Sequence, residues 1–222
     1  ARVPQGDAHI LEYLTVEVLD QEPAEVQEFL IKTSILDRLH PALCAALLAA
    51  TDSATDSATD SAAGKEQAHL RILREHSLFV HEVEGSDNWL RYAQLFQHGL
   101  RVHLYQRYPP TVIAELHRRA GVWFAEGGMI DEALHHAVAA GDTPYAIRLV
   151  AQRRHDLMNG EEWATLQRWL GHFDRATLGR SLDLSLAEAW LLLNGGRVQE
   201  LEPLLAHIDR MVATAEAPAA TP

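Results

Sequence analysis

Apolar residues recur at helical spacing almost from the first position of the chain. Ile10, Leu11, Leu14 and Val18 share one face of a predicted helix over residues 8–19. Pro23 stands where the first turn of a second helix tolerates proline, and that helix runs to about Ile31 with Val26, Phe29 and Leu30 facing inward. Ser34 to Leu39 is a connector, and Pro41 opens a third helix through Leu48. Leu70, Ile72 and Leu73 supply the apolar positions of a fourth helix, Lys65 to His76. The period then changes to two. Leu78 to Val83 alternates as a strand, Gly85-Ser86-Asp87-Asn88 provides a turn, and Trp89 to Tyr92 returns. A closing helix covers Leu95 to Tyr105. Helices, a β-hairpin and a closing helix in this order describe a winged helix over about residues 20–107.

Beyond Pro109-Pro110 the pattern becomes one of short helices back to back. Residues 117–142 read HRRAGVWFAEGGMIDEALHHAVAAGD. Ala133, Ala137 and Ala140 recur at one-face spacing, Trp123, Phe124 and Leu134 are bulky enough to fill the gaps, and Gly127-Gly128 makes the turn. Such a hairpin cannot bury its apolar face alone, so it implies stacked neighbours. A further hairpin centres on Asn194-Gly195-Gly196, with Leu201, Leu205 and Ile208 on one face of its second helix. Gly128 and Gly196 lie 68 residues apart, twice the roughly 34-residue tetratricopeptide period, and Asn159-Gly160 marks a turn near the midpoint. The expected fold is mainly α: a winged-helix domain with a small β-hairpin, followed by tetratricopeptide-like helical hairpins. The expected domains are 1–108, 109–213 and a linker or disordered tail at 214–222.

Residues 51–62 read TDSATDSATDSA, three copies of one tetrapeptide with nothing apolar larger than alanine. They predict a flexible surface insertion over 51–64 that contributes nothing to a core. The chain carries a net charge of −12 and only two lysines, Lys32 and Lys65, so it repels phosphate backbones and favours protein partners over nucleic acid. One cysteine, Cys44, leaves no intramolecular disulfide and suits a reducing, cytoplasmic setting. No apolar run approaches the roughly 18 residues that span a bilayer, so no membrane partner is expected. Helical pattern appears at once without an initiating methionine, which suggests a piece of something longer.

Four blocks in order carry a family resemblance. They are EVLDQEPAEVQEFLIKTSILDRLHPALCAAL at 17–47, LREHSLFV at 73–80, LRYAQLFQHGLRVHL at 90–104 and ELHRRAGVWFAEGGMIDEALHHAVAAGD at 115–142. The series resembles the central segment of the MalT-like large ATP-binding regulators of the LuxR family, signal-transduction ATPases with numerous domains, over about residues 8–210. The resemblance implies a nucleotide-binding domain before the winged helix and a LuxR-type DNA-binding domain after the repeats. The winged helix would pack on the adjacent nucleotide-binding domain of the same chain and hold its ADP-bound resting state. An inducer or regulatory protein would act on the repeats, releasing that packing for nucleotide exchange and transcriptional activation. ATP or ADP would therefore bind in a neighbouring domain, and DNA only through the separate C-terminal one. In the family block resembling R-Y-H-x-L-F, a histidine is thought to contact ADP. Here the block reads Arg91-Tyr92-Ala93-Gln94-Leu95-Phe96, with alanine in that place. Arg91, Tyr92 and Ala93 are the candidate nucleotide-facing positions.

No glycine-rich phosphate loop followed by Lys-Ser/Thr occurs, so the segment itself is expected to bind no ATP and to catalyse nothing. No metal site is expected: adjacent His135 and His136 point to different faces, and His98 and His103 are five apart. Among the aromatics, Tyr13, Trp123, Trp163, Trp169 and Trp190 are core candidates, with Trp163 and Trp169 also candidates for a repeat groove. Two rival readings stand. One is a free-standing repeat scaffold for a protein partner. The other is a winged-helix DNA-binding repressor using Lys65, His69, Arg71 and Arg74, against which Glu66, Glu75, Glu82 and Glu84 would face phosphates.

Overall fold

The computed structural model describes residues 19, 21–49, 80–83 and 88–216. The predicted helix over 8–19 (Leu19 apart), the insertion at 51–64, the helix Lys65 to His76, the turn residues Gly85, Ser86 and Asp87, and positions 217–222 lie outside the described residues. By its contacts the chain divides into two compact units, Ala1–Trp123 and Phe124–Pro222. The fold is mainly α, a winged helix followed by helical hairpins, as the pattern predicts. No helix among the described residues is long and apolar enough to cross a membrane.

In the first unit, α1 (Ala24–Thr33) packs on α2 (Pro41–Leu48) and on α3 (Gln94–Arg107). Its inward face is Val26, Phe29, Leu30 and Ile31, and Glu28 pairs with Lys32 one turn on. α2 starts at a histidine cap: His40 Nδ1 accepts from the Ala42 N–H at 3.3 Å, so the ring's proton sits on Nε2. Burial lowers the His40 pKa, which keeps that cap neutral. Strands β1 (Val80–Glu82) and β2 (Leu90–Tyr92) pair antiparallel with Val80 opposite Tyr92 and Glu82 opposite Leu90. Leu39 bonds to β2 from the other side, exchanging both backbone hydrogen bonds with Leu90 at 2.7 and 2.9 Å. The Ser34–Leu39 connector is thus part of the core, with Leu36 and Leu39 fully buried. Its carbonyls are held from α3: Gln97 Nε2 donates to Ser34 and Leu36, and Arg101 Nε donates to Ser34 at 2.8 Å. Beside the wing, Trp89 lies between the Arg38 guanidinium, 4.8 Å from its ring centre, and the rings of His40 and Trp123.

Helix α4 (Pro110–Glu126) begins directly at the double proline, and the boundary between the units falls inside it. Then come α5 (Ile130–Ala139), α6 (Thr143–Asn159), α7 (Trp163–Leu170), α8 (Arg175–Arg180), α9 (Leu182–Asn194) and α10 (Val198–Glu216). α10 thus runs past residue 213, where the pattern placed the end of the repeats. Three hairpins, α4–α5, α6–α7 and α9–α10, turn in the same way. In each, the first helix ends on a left-handed residue and the following N–H reaches back five residues to a carbonyl: Met129 to Phe124, Glu162 to Leu157, Arg197 to Leu192. The left-handed residues are Gly128, Glu161 and Gly196, spaced 33 and 35 residues apart (Gly128 to Glu161, Glu161 to Gly196). Counted back from them, the same positions are buried every time: Leu116, Leu149 and Leu184; His117, Val150 and Ser185; Phe124, Leu157 and Leu192.

α6 packs on α5, α7 and α9, and α9 packs on α7, α8 and α10. Side-chain links fix the stack: Asp183 pairs with Arg154 between α9 and α6, and Ser185 Oγ donates to the Leu178 carbonyl of α8. Two expectations for aromatics need correction. Trp190 is not core but 45% exposed, because α9 buries Leu184, Ala187 and Leu192 and leaves Trp190 and Leu193 outside. Trp123 is half-buried at the wing rather than enclosed between hairpins.

Candidate functional site

Two places carry the candidate residues. The first is the block Arg91-Tyr92-Ala93. Strand alternation sends Leu90 and Tyr92 inward and Arg91 outward. Tyr92 is 1% exposed. Thr33 Oγ1 donates its one proton to the Phe29 carbonyl at 2.7 Å, so the Tyr92 hydroxyl, 2.7 Å from the same oxygen, is the donor to it. Burial pushes the Tyr92 hydroxyl pKa far up, and it remains neutral. Tyr92 is therefore a core residue that locks β2 to the end of α1, not a nucleotide-facing one. Ala93 caps α3 with no side-chain bond to its first turn and is half-buried; Arg91 is exposed. These two alone of the three can meet another body.

The second is a groove of about 480 Å³ in the second unit, walled by α7, α8 and the end of α9. Trp163 and Gln167 stand one turn apart on α7, Phe173 and Arg175 come from the α8 segment, and Leu191 and Asn194 from α9. Its floor is Leu170, Leu178 and Leu192, each buried. Arg175 is bound to Glu188 at 2.6 Å, and Arg197 holds both oxygens of Glu200. The same pairing lowers the Glu200 pKa and raises that of Arg197, so both remain charged.

The two aromatics expected in a repeat groove separate. Trp163 lines it, half-buried. Trp169, six residues on and so on a different helix face, is 4% exposed and donates its Nε1–H to Asp131 of α5 at 2.6 Å. Arg168 bonds the same carboxylate through both oxygens at 2.9 and 3.0 Å. Sequence reasoning missed Leu191 and Asn194, because apolar residues cover more than one face of α9, and Phe173, because α8 has no apolar periodicity. Its only signals are short caps: Asp174 accepting from the Thr177 N–H, then Ser181 from that of Leu184. No group of three or more His, Cys, Asp or Glu side chains able to hold a metal ion occurs among the described residues.

With this geometry in hand, the comparisons with known proteins fall on both units. Residues 15–112 match the family described as the MalT winged helix domain. Over 205 residues the chain is 28% identical to the HTH-type transcriptional regulator MalT of Klebsiella pneumoniae, covering 91% of the chain and 21% of the relative. It is 32% identical over 212 residues to the serine/threonine-protein kinase PknK of Mycobacterium tuberculosis and of Mycobacterium bovis, covering 96% of the chain and 18% of those proteins. The chain thus spans about a fifth of the length of the curated relatives it matches.

Proposed function

We propose that this chain is the regulatory, non-catalytic segment of a MalT-type, ATP-dependent transcriptional activator of the LuxR class, acting in the cytoplasm. The hairpins of the second unit receive an inducer or a regulatory protein. The winged helix passes that event to the nucleotide state of an adjacent ATPase domain, and DNA is bound by a separate C-terminal domain. The observation that carries the reading is the similarity to MalT over 91% of the chain, which takes in the winged helix and the hairpins together. The chain's own chemistry supports it. Its net charge of −12 opposes phosphate binding, and the described part of the wing adds Glu82 as an exposed carboxylate.

In this reading Arg91 and the start of α3 face the nucleotide-binding neighbour, and Ala93 leaves the resting state without one hydrogen-bond donor. The test is ADP dissociation from the product of the complete reading frame. Ala93→His is expected to slow it roughly tenfold, the effect of one added hydrogen bond of about 1.4 kcal/mol to a charged group. An unchanged rate removes the block from the nucleotide contact.

The higher identity to PknK favours a second reading, in which the same module regulates a protein kinase rather than a DNA-binding domain. Phosphorylation of a general peptide substrate by the complete product decides between the two. The scaffold and repressor alternatives predict no nucleotide dependence at all, and the repressor also predicts salt-dependent binding of this chain to random duplex DNA.

A further inference from the structure

We propose that the groove between α7 and the end of α9 is a binding site for a small uncharged organic molecule bearing one flat apolar ring. The inference rests on the reading of the second unit as a sensor and names what it senses by chemistry.

The groove is a built feature, not a gap common to every junction of the stack. Six residues past the left-handed turn residue, the first hairpin has Leu134, which is fully buried. The second hairpin has Gln167 at that position, exposed and lining the groove. The connection differs too. Residues 140–142 join the first hairpin to the second, whereas residues 171–181 join the second to the third and bring in α8. That added segment supplies Phe173 and Leu178 to the lining.

The lining sets the ligand's chemistry. Trp163, Phe173 and Leu191 are half-buried, so each offers apolar surface that a flat ring can still cover. Gln167 and Asn194 offer carboxamides that both donate and accept, which suits hydroxyl, carbonyl or amide groups on the ligand's edge. The cations are already occupied: Arg175 by Glu188 and Arg197 by Glu200. An anionic ligand would have to displace a carboxylate from its partner, and a cationic one an arginine. An uncharged ligand disturbs neither. A volume of about 480 Å³ is within the range of sites for compact organic ligands, roughly 300–1,000 Å³.

The test uses two probes with one ring system, uncharged N-phenyl-1-naphthylamine and its anionic relative 8-anilinonaphthalene-1-sulfonate, titrated into this chain and followed by their fluorescence. The expected result is saturable one-to-one binding of the uncharged probe, at least about tenfold tighter than the sulfonate. Trp163→Ala, which removes the aromatic wall of the groove, is expected to weaken binding of the uncharged probe at least about tenfold. Leu205→Glu alters an exposed apolar position outside the groove and should leave binding unchanged. Binding that survives Trp163→Ala but is lost in Leu205→Glu would place the probe on the exposed face of the last hairpin and overturn the proposal. Equal or tighter binding of the sulfonate would overturn the uncharged specificity. If the probe binds this chain but leaves ADP dissociation from the complete product unchanged, the site stands and the sensor reading fails.

Discussion

Glu161 holds a backbone conformation that side chains rarely adopt, with φ at 58°, in the slot that Gly128 and Gly196 fill in the other two hairpins. A non-glycine residue there costs on the order of 1 kcal/mol, and glycine carries no such cost but loses more entropy on folding. The balance favours glycine. Glu161→Gly is therefore expected to raise stability by about 0.5–1 kcal/mol, seen as a higher urea midpoint at unchanged slope. A lower midpoint would mean that the Glu161 side chain makes a contact that outweighs its strain. The same residue explains why the middle turn reads poorly in the sequence. Asn159-Gly160 announces it, but Gly160 is the helix cap, and the left-handed position falls one residue later on a glutamate. Tyr92 shows the reverse case. Its inward direction was legible in the period-two alternation of its strand, and the family motif pointed the other way; packing against Thr33 decided it.

At the scale of elements, the hairpins and the wing were legible because each is announced locally, by a glycine turn or a change of period. What covers each element was not. Trp190 and Leu193 share an apolar stripe of α9 that periodicity cannot distinguish from the stripe the fold buries. The long-range polar links were equally hidden. Nothing in the sequence couples Gln97 and Arg101 to the connector carbonyls more than sixty residues earlier. Nor does it couple Asp131 of α5 to Trp169 and Arg168 of α7. That last link predicts a pH dependence. Burial pushes the Asp131 carboxyl up, but the hydrogen bonds from Arg168 and Trp169 outweigh it and hold the pKa below the usual carboxylate range. A depressed folded-state pKa gives stability that is present above the unfolded value, roughly 3.9, and is lost as pH falls through the folded value. The pair is half-exposed, so the contribution is at most about 1 kcal/mol. Asp131→Asn should thus lower the urea midpoint at pH 7, and the gap to the parent chain should be smaller at pH 3, below the unfolded value of roughly 3.9. A gap of the same size at both pH values would show that Asp131 acts through packing rather than charge.

At the scale of the whole molecule, two units lie in one chain: a winged helix that leaves Arg91 exposed beside a half-buried Ala93, and a stack of hairpins with a groove at its second junction. A regulatory segment of this kind earns its function only if the state of the hairpins changes what the nucleotide-binding neighbour does. Coupling between such sites is typically worth about 1–3 kcal/mol, a change of roughly 5- to 150-fold. The decisive measurement is the ADP dissociation rate of the complete reading-frame product, intact and with everything after Trp123 removed. The account predicts bound ADP in both and a rate that differs at least about fivefold between them. Equal rates, or no nucleotide binding by the complete product, would contradict it.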